Sequence, residues 1–127
     1  MIIKCGVDLV YLPRFKKSLK RGGEKFLQRV FTERELIHLR GGLRRHAHLE
    51  GEMPHLAGIF AAKEAVIKAL SLPIDSWHDI HVVYKPNGVP QVQISSAEFT
   101  DQISNSSLSI SHDGNYIISQ FIAILKE

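Results

Sequence analysis

The chain has 127 residues, is 44% hydrophobic and 23% charged, and carries a net charge of +3, a composition that suits one globular domain and excludes a disordered or low-complexity polymer. It contains no apolar run near the roughly 20 residues of a membrane helix. One cysteine, Cys5, excludes an intramolecular disulfide framework and any multi-cysteine metal centre. The opening Met-Ile-Ile-Lys-Cys-Gly lacks a signal-peptide layout, so a soluble, cytoplasmic protein is expected. A domain of this size buries about two-thirds of its unfolded surface, which favours sites shared between subunits over a deep private cavity.

Charge is unevenly spread. Between Arg14 and Arg45 stand eleven Lys/Arg against three acids, a net of +8, so the remainder is net −5. A basic stretch of that strength predicts an anionic partner: nucleic acid, an acidic protein or a phosphate-rich cofactor.

In chain order, residues 2–10 predict a mostly buried strand, apolar on both faces except at Lys4 and Asp8. Pro13 suits the first turn of a basic helix, 14–21, which Gly22-Gly23 stops; a second short helix covers 24–30. Thr32 followed by Glu35 is a capping box for a third helix that Gly41-Gly42 ends. Residues 41–55 read as a polar loop. The Ala- and Leu-rich segment 56–70 is the strongest helix of the chain, stopped by Pro73. A hairpin follows, 78–85 and 89–95, turned at Lys85-Pro86-Asn87-Gly88 with Asn-Gly supplying positive φ. A short helix capped by Ser95 or Ser96 leads to a second hairpin, 107–112 and 115–125, turned at Asp113-Gly114. Residues 116–125 are apolar on both faces apart from Ser119 and Gln120, which predicts a central strand. The expected class is α+β: one domain over 1–127, an antiparallel sheet built from hairpins, and a long buried helix.

Two charged groups stand where charge is unfavourable. Asp8 interrupts an apolar strand, and an unpaired buried carboxylate costs several kcal/mol. Helix 56–70 is apolar nearly all round, and its charges are Lys63, Glu64 and Lys68. Glu64 and Lys68 are four apart and share a face, kept thin by Ala61 and Ala65; Lys63 lies about 100° away. Two arrangements satisfy this pattern. Glu64 and Lys68 can form a buried pair with Asp8 hydrogen-bonded at a strand end. Alternatively, Asp8 and Glu64 can hold a hard divalent cation such as Mg²⁺, with Lys68 against the same phosphates, a layout for phosphoryl transfer. The histidines and acids of the loop (His46, His48, Glu50, Glu52, His55), with His78 and His81, match no zinc spacing. His112, after a strand, is a candidate base or donor, and Cys5 reads as a small core residue. No Walker loop, dinucleotide fingerprint or nucleophile elbow is present.

The segments Gly6-Val7-Asp8-Leu9, with Arg14 six residues beyond Asp8, and Phe60-Ala61-Ala62-Lys63-Glu64-Ala65-x-x-Lys68-Ala69 resemble the two signatures of the holo-acyl-carrier-protein synthases, the small branch of the 4′-phosphopantetheinyl transferases. Phe26-x-x-Arg29, Thr32-x-x-Glu35-Leu36, Asn87-Gly88-x-Pro90 and Ser109-x-Ser111-His112 extend the resemblance along nearly the whole chain. It implies a 4′-phosphopantetheinyl transferase-like fold and Mg²⁺-dependent transfer of the phosphopantetheine arm from coenzyme A to a serine of apo-acyl carrier protein, releasing 3′,5′-ADP. By the family pattern Asp8 and Glu64 ligate Mg²⁺ and Lys68 contacts the pyrophosphate. The proton acceptor is left among Glu64, a metal-bound water and another group. Arg44 and Arg45 are candidates for the coenzyme A 3′-phosphate, and the resemblance implies Lys68, Asn87, Gly88, Pro90 and His112 as further coenzyme A residues. Arg14, Lys25, Phe26 and Arg29 dock the acidic helix of the carrier, which explains the +8 better than nucleic acid, because no aromatic stacking platform is interleaved with the basic residues. The resemblance also implies a homotrimer with sites between subunits, and no nucleic-acid or membrane partner. Ile59, Val89 and Ser71-Leu72-Pro73 depart from the family pattern, all toward the nucleotide side. The alternatives are a catalytically silent relative that binds carrier protein or nucleotide, and a basic nucleic-acid-binding module.

Overall fold

The computed structural model describes residues 1–37 and 51–127. The elements run β1 (Ile2–Tyr11), α1 (Leu12–Val30), α2 (Glu33–Ile37), α3 (Met53–Leu70), a 3₁₀ turn (Ser76–Asp79), β2 (Ile80–Tyr84), β3 (Pro90–Ile94), α4 (Ala97–Thr100), β4 (Ile103–Asp113) and β5 (Tyr116–Leu125). The α+β class and the order of elements are as expected. The helix end at Gly41-Gly42, most of the polar loop, and Arg44, Arg45, His46, His48 and Glu50 lie outside the described residues.

The strands form a three-stranded sheet in the order β1-β5-β4 and a two-stranded hairpin, β2-β3, all antiparallel. β5 is central, as its apolar sequence predicts. α3 packs against one face of the sheet, chiefly on β1 and β5, and eleven of its residues are buried. Its burial comes from sequence: Ala57, Ala61, Ala62, Ala65 and Ala69 keep it thin enough for the sheet, α1 and β2 to pack around it. Pro54 occupies the first turn, so the helix starts at Met53, earlier than the expected 56, because Pro is tolerated where no intrahelical N–H bond is made. Ser71 closes it in the left-handed region, φ 54°.

Three local expectations are confirmed by geometry. Gly23 (φ 56°, ψ −138°) breaks α1 into two helical halves, a conformation reserved for glycine. The Thr32/Glu35 capping box is reciprocal: Thr32 N–H donates to Glu35 Oε1 at 2.8 Å and Glu35 N–H to Thr32 Oγ1 at 3.3 Å. Gly114 turns the second hairpin at φ 56°.

Others are corrected. β1 is an edge strand with one face exposed, not a mostly buried one: Ile3 and Leu9 are 60% exposed and Val7 49%, because α3 covers only the opposite face. Cys5 stands on that outer face and is exposed, not in the core. In the first hairpin Gly88 alone takes positive φ, 88°. Asn87 instead accepts Val89 N–H at 3.1 Å, since five residues separate the paired Tyr84 and Pro90 and a two-residue turn is not needed. His78 falls on the 3₁₀ turn rather than a strand, and β4 begins at Ile103, before the expected 107. Among the described residues no helix is long and apolar enough to cross a membrane.

Candidate active site

Gly6 decides how closely β1 lies on α3. A Cβ there would stand 1.9 Å from Ala65 O and 2.9 Å from Ala69 N, so only glycine permits the approach. Two residues on, and therefore on the same face, Asp8 meets the end of α3. Lys68 Nζ donates to Asp8 Oδ1 at 2.9 Å and to Val7 O at 3.1 Å. Glu64, one turn back on α3, is half-buried. Its carboxyl is pushed above the usual range by burial first and by the neighbouring Asp8 charge second, with Lys68 opposing. The pattern of sequence therefore does bring Asp8, Glu64 and Lys68 together, with Lys68 bonded to Asp8.

Two carboxylates sharing one partly exposed lysine are short of positive charge. An oxygen-only donor set of this kind fits a hard divalent cation that takes its other ligands from water and substrate phosphates, as Mg²⁺ does. Among the described residues no three His, Cys, Asp or Glu cluster as a self-sufficient metal site. His78 and His81 do not form one: His78 Nε2 contacts Gln28 O and His81 Nδ1 is buried without a partner.

The triad opens on a cleft of about 390 Å³ whose other wall is aromatic, with Phe15, Phe26 and Phe60 lining it and Arg14 beside them. Phe15 and Phe26 come from the two halves of α1. The break at Gly22-Gly23 brings their rings to 6.0 Å, edge to face, and Phe60 of α3 closes the cluster at 5.3 and 6.1 Å. Trp77 stacks behind Phe60 at 5.4 Å, and the Arg29 guanidinium lies over Phe26 at 5.7 Å, a cation–π contact. Lys25 is exposed on the same half-helix. Arg14 and Phe26 are thus at the cleft and Arg29 against its wall.

The other expected residues are elsewhere in the chain. Asn87 and Gly88 are exposed at the tip of the β2-β3 hairpin, and His112 is exposed near the end of β4. Pro90 lines a separate, smaller cavity of about 140 Å³ between β3 and β4, with Lys85, Gln91, Ser106 and Ser107. None of these four lines the Asp8 cleft.

The sequence reading missed the aromatic wall and a second ion pair. Lys63 and Glu35 meet at 2.7 Å with side chains 0% and 2% exposed. A lysine on an otherwise apolar helix face was the available signal; its partner, 28 residues away and already assigned to a cap, had none.

The 4′-phosphopantetheinyl transferase superfamily model matches residues 4–121. The holo-[acyl-carrier-protein] synthase of Dehalococcoides mccartyi is 37% identical over 127 residues, covering 96% of this chain and 98% of its own. That of Thermodesulfovibrio yellowstonii is 41% identical over 125 residues, covering 98% and 99%. The crystal structure of Helicobacter pylori holo-[acyl-carrier-protein] synthase in complex with coenzyme A superposes with a TM-score of 0.76 at 29% identity, over 94% of this chain and 99% of that one. The chain therefore belongs to the holo-acyl-carrier-protein synthases of the 4′-phosphopantetheinyl transferase superfamily.

Proposed function

We propose that the chain, acting as one domain over 1–127, transfers the 4′-phosphopantetheine arm of coenzyme A to a serine of apo-acyl carrier protein at the Asp8–Glu64–Lys68 cleft. The observation that carries the site is the convergence of both family signatures there, with Lys68 Nζ 2.9 Å from Asp8 Oδ1 and the Glu64 carboxyl raised by burial first and by the Asp8 charge second. The serine hydroxyl gives up its proton to a base at the cleft, its oxygen bonds to the β-phosphorus of the pyrophosphate, the bond from that phosphorus to the bridging oxygen breaks, and 3′,5′-ADP leaves.

Asp8 and Glu64 hold Mg²⁺, which when bound supplies charge neutralisation for the pyrophosphate. Lys68, 53% exposed, needs only to turn from Asp8 to reach a phosphate oxygen in the cleft. Positioning and charge do most of the work in this chemistry. Arg14, Lys25, Phe26 and Arg29, on one side of the cleft, receive the acidic helix of the carrier; nucleic acid is not the partner of this basic stretch.

Arg44, Arg45, Asn87, Gly88, Pro90 and His112 hold the nucleotide end. The separation of the hairpin and His112 from the Asp8 cleft within one chain supports a site completed by a neighbouring copy, in a homotrimer. The outer sheet face supports the same reading, with Val7, Leu9, Ile118 and Ile122 between 38% and 60% exposed where a partner would cover them. A monomer by light scattering under active conditions would remove the shared site.

The test of the reaction is an intact-mass assay of apo-acyl carrier protein with coenzyme A. The carrier should gain one phosphopantetheine arm with Mg²⁺ and none with EDTA. Asp8→Ala and Glu64→Ala should give no gain while keeping native circular dichroism. An undiminished gain in either variant takes that residue out of the site.

A further inference from the structure

Ser119 occupies the middle of β5, the central strand, and is fully buried, between Ile117 and Phe121 on the face turned to α3. Its Oγ has no hydrogen-bond partner. An unsatisfied hydroxyl in a dry interior is unfavourable, and each such group asks for an explanation. Of the other buried polar side chains, Thr32, Glu35 and Lys63 satisfy one another in a single network; Ser119 stands apart from it.

Its register supplies the explanation. Ser119 lies directly opposite Asp8 on β1 and Ile110 on β4. Opposed residues of an antiparallel pair share a face with Cβ atoms about 4.5–5.5 Å apart, so a change of χ1 rotamer brings the hydroxyl within reach of the Asp8 carboxylate. Ile110 has nothing to bond. Asp8 Oδ1 meanwhile accepts from Lys68, and Asp8 is only 14% exposed in its side chain. When Lys68 turns toward an anionic ligand, this nearly buried carboxylate loses its donor, and the orphan hydroxyl across the strand is placed to replace it.

We propose that Ser119 is a positioning residue for Asp8, its hydroxyl donating to the carboxylate and fixing its orientation toward the cleft whenever Lys68 is engaged elsewhere. The inference rests on the reading of Asp8 as a cation ligand. A group that orients a metal ligand acts on metal affinity rather than on substrate recognition.

The test compares wild type, Ser119→Ala, Ser119→Thr and Asp8→Ala in the full chain with coenzyme A present, reading Mn²⁺ binding by electron paramagnetic resonance. Ser119→Ala should bind Mn²⁺ about tenfold more weakly, need correspondingly more metal for half-maximal transfer, and keep its KM for carrier protein. In EDTA its Tm should equal or exceed that of wild type, because the orphan hydroxyl is gone. A merely structural serine would do the reverse, lowering Tm and leaving Mn²⁺ affinity alone, and that result overturns the proposal. Ser119→Thr, which keeps the hydroxyl, should restore binding; if its extra methyl unfolds the chain, Ser119→Cys, with a weaker donor, should fall between wild type and alanine. Wild-type affinity in Ser119→Ala with lost affinity in Asp8→Ala overturns the positioning role and leaves the ligand reading intact. Wild-type affinity in Asp8→Ala overturns both.

Discussion

Lys63 and Lys68 belong to the same helix, five residues and about 140° apart, and each meets a carboxylate, at 2.7 Å and 2.9 Å. Their surroundings have nothing else in common. Lys63 is fully buried and also donates to Val30 O at 2.7 Å and Trp77 O at 3.0 Å, which uses all three of its hydrogens. Its partner Glu35 also accepts Thr32 N–H and Val82 N–H, each at 2.8 Å. One buried network therefore ties the end of α1, α2, α3 and β2. Burial pushes the Lys63 ammonium below its usual pKa range, and Glu35 opposes that shift. Lys68 and Asp8 meet instead at the mouth of a cleft, more than half open on the lysine side. The same pair of groups holds the fold where every hydrogen is satisfied in the dry interior, and remains available to a ligand where water already competes for it.

The contrast is sharpest in stability. Lys63→Met leaves Glu35 charged and unpaired in the core, so it should cost about 3–5 kcal/mol by urea denaturation. Lys68→Met removes a lysine that is 53% exposed but leaves Asp8, 14% exposed, without its donor, so it should cost less than Lys63→Met, about 1–2 kcal/mol, while transfer falls. Equal losses in the two variants would erase the distinction between the pairs.

Next in size is an effect confined to the open side. Arg14 lines the same cleft as Lys68 and is exposed. Arg14→Glu places like charge against an acidic carrier and should raise the KM for carrier protein about tenfold, equivalent to ~1.4 kcal/mol, with Tm unchanged. A raised coenzyme A KM with an unchanged carrier KM would assign Arg14 to the other substrate.

What the sequence discloses about this contrast is what lies close along the chain. The Gly22-Gly23 break, the Thr32/Glu35 cap and the central β5 follow from glycine conformation, capping chemistry and apolar patterning, each complete within a few residues. The meeting of Asp8, Glu64 and Lys68 was legible because each was a charge on an apolar element. Partner choice was not legible. Glu64 and Lys68 share a face, yet Lys68 bonds to Asp8, because Gly6 allows β1 against α3 and no local rule counts that approach. Lys63 finds Glu35 in the same way. The exposed outer face of β1 is not legible because a strand apolar on both faces looks the same whether or not its own chain covers the second one. The orphan hydroxyl of Ser119 is visible only once the register opposes it to Asp8.

Glu64 stands between the two regimes, half-buried beside a half-exposed lysine, and its effect should be the smallest. Its folded-state pKa is raised above the ordinary carboxyl value of 4.5, by burial foremost and by Asp8 second. In the interval between those two pKa values the folded chain binds more protons than the unfolded one, so stability falls as pH rises through it. The favourable contribution is fully present below the unfolded value and lost above the folded one. Glu64→Gln is uncharged throughout. In EDTA it should therefore have the higher Tm at pH 7, and the two proteins should converge below about pH 4. Mg²⁺ with coenzyme A should reverse the order at pH 7, raising the Tm of wild type but not of Glu64→Gln, because only the native carboxylate gains from the ligand. Parallel pH profiles in EDTA would show Glu64 solvated like a surface carboxylate. The charge shortage at the cleft would then rest on Asp8 alone, too little to distinguish this end of α3 from any exposed lysine–carboxylate pair.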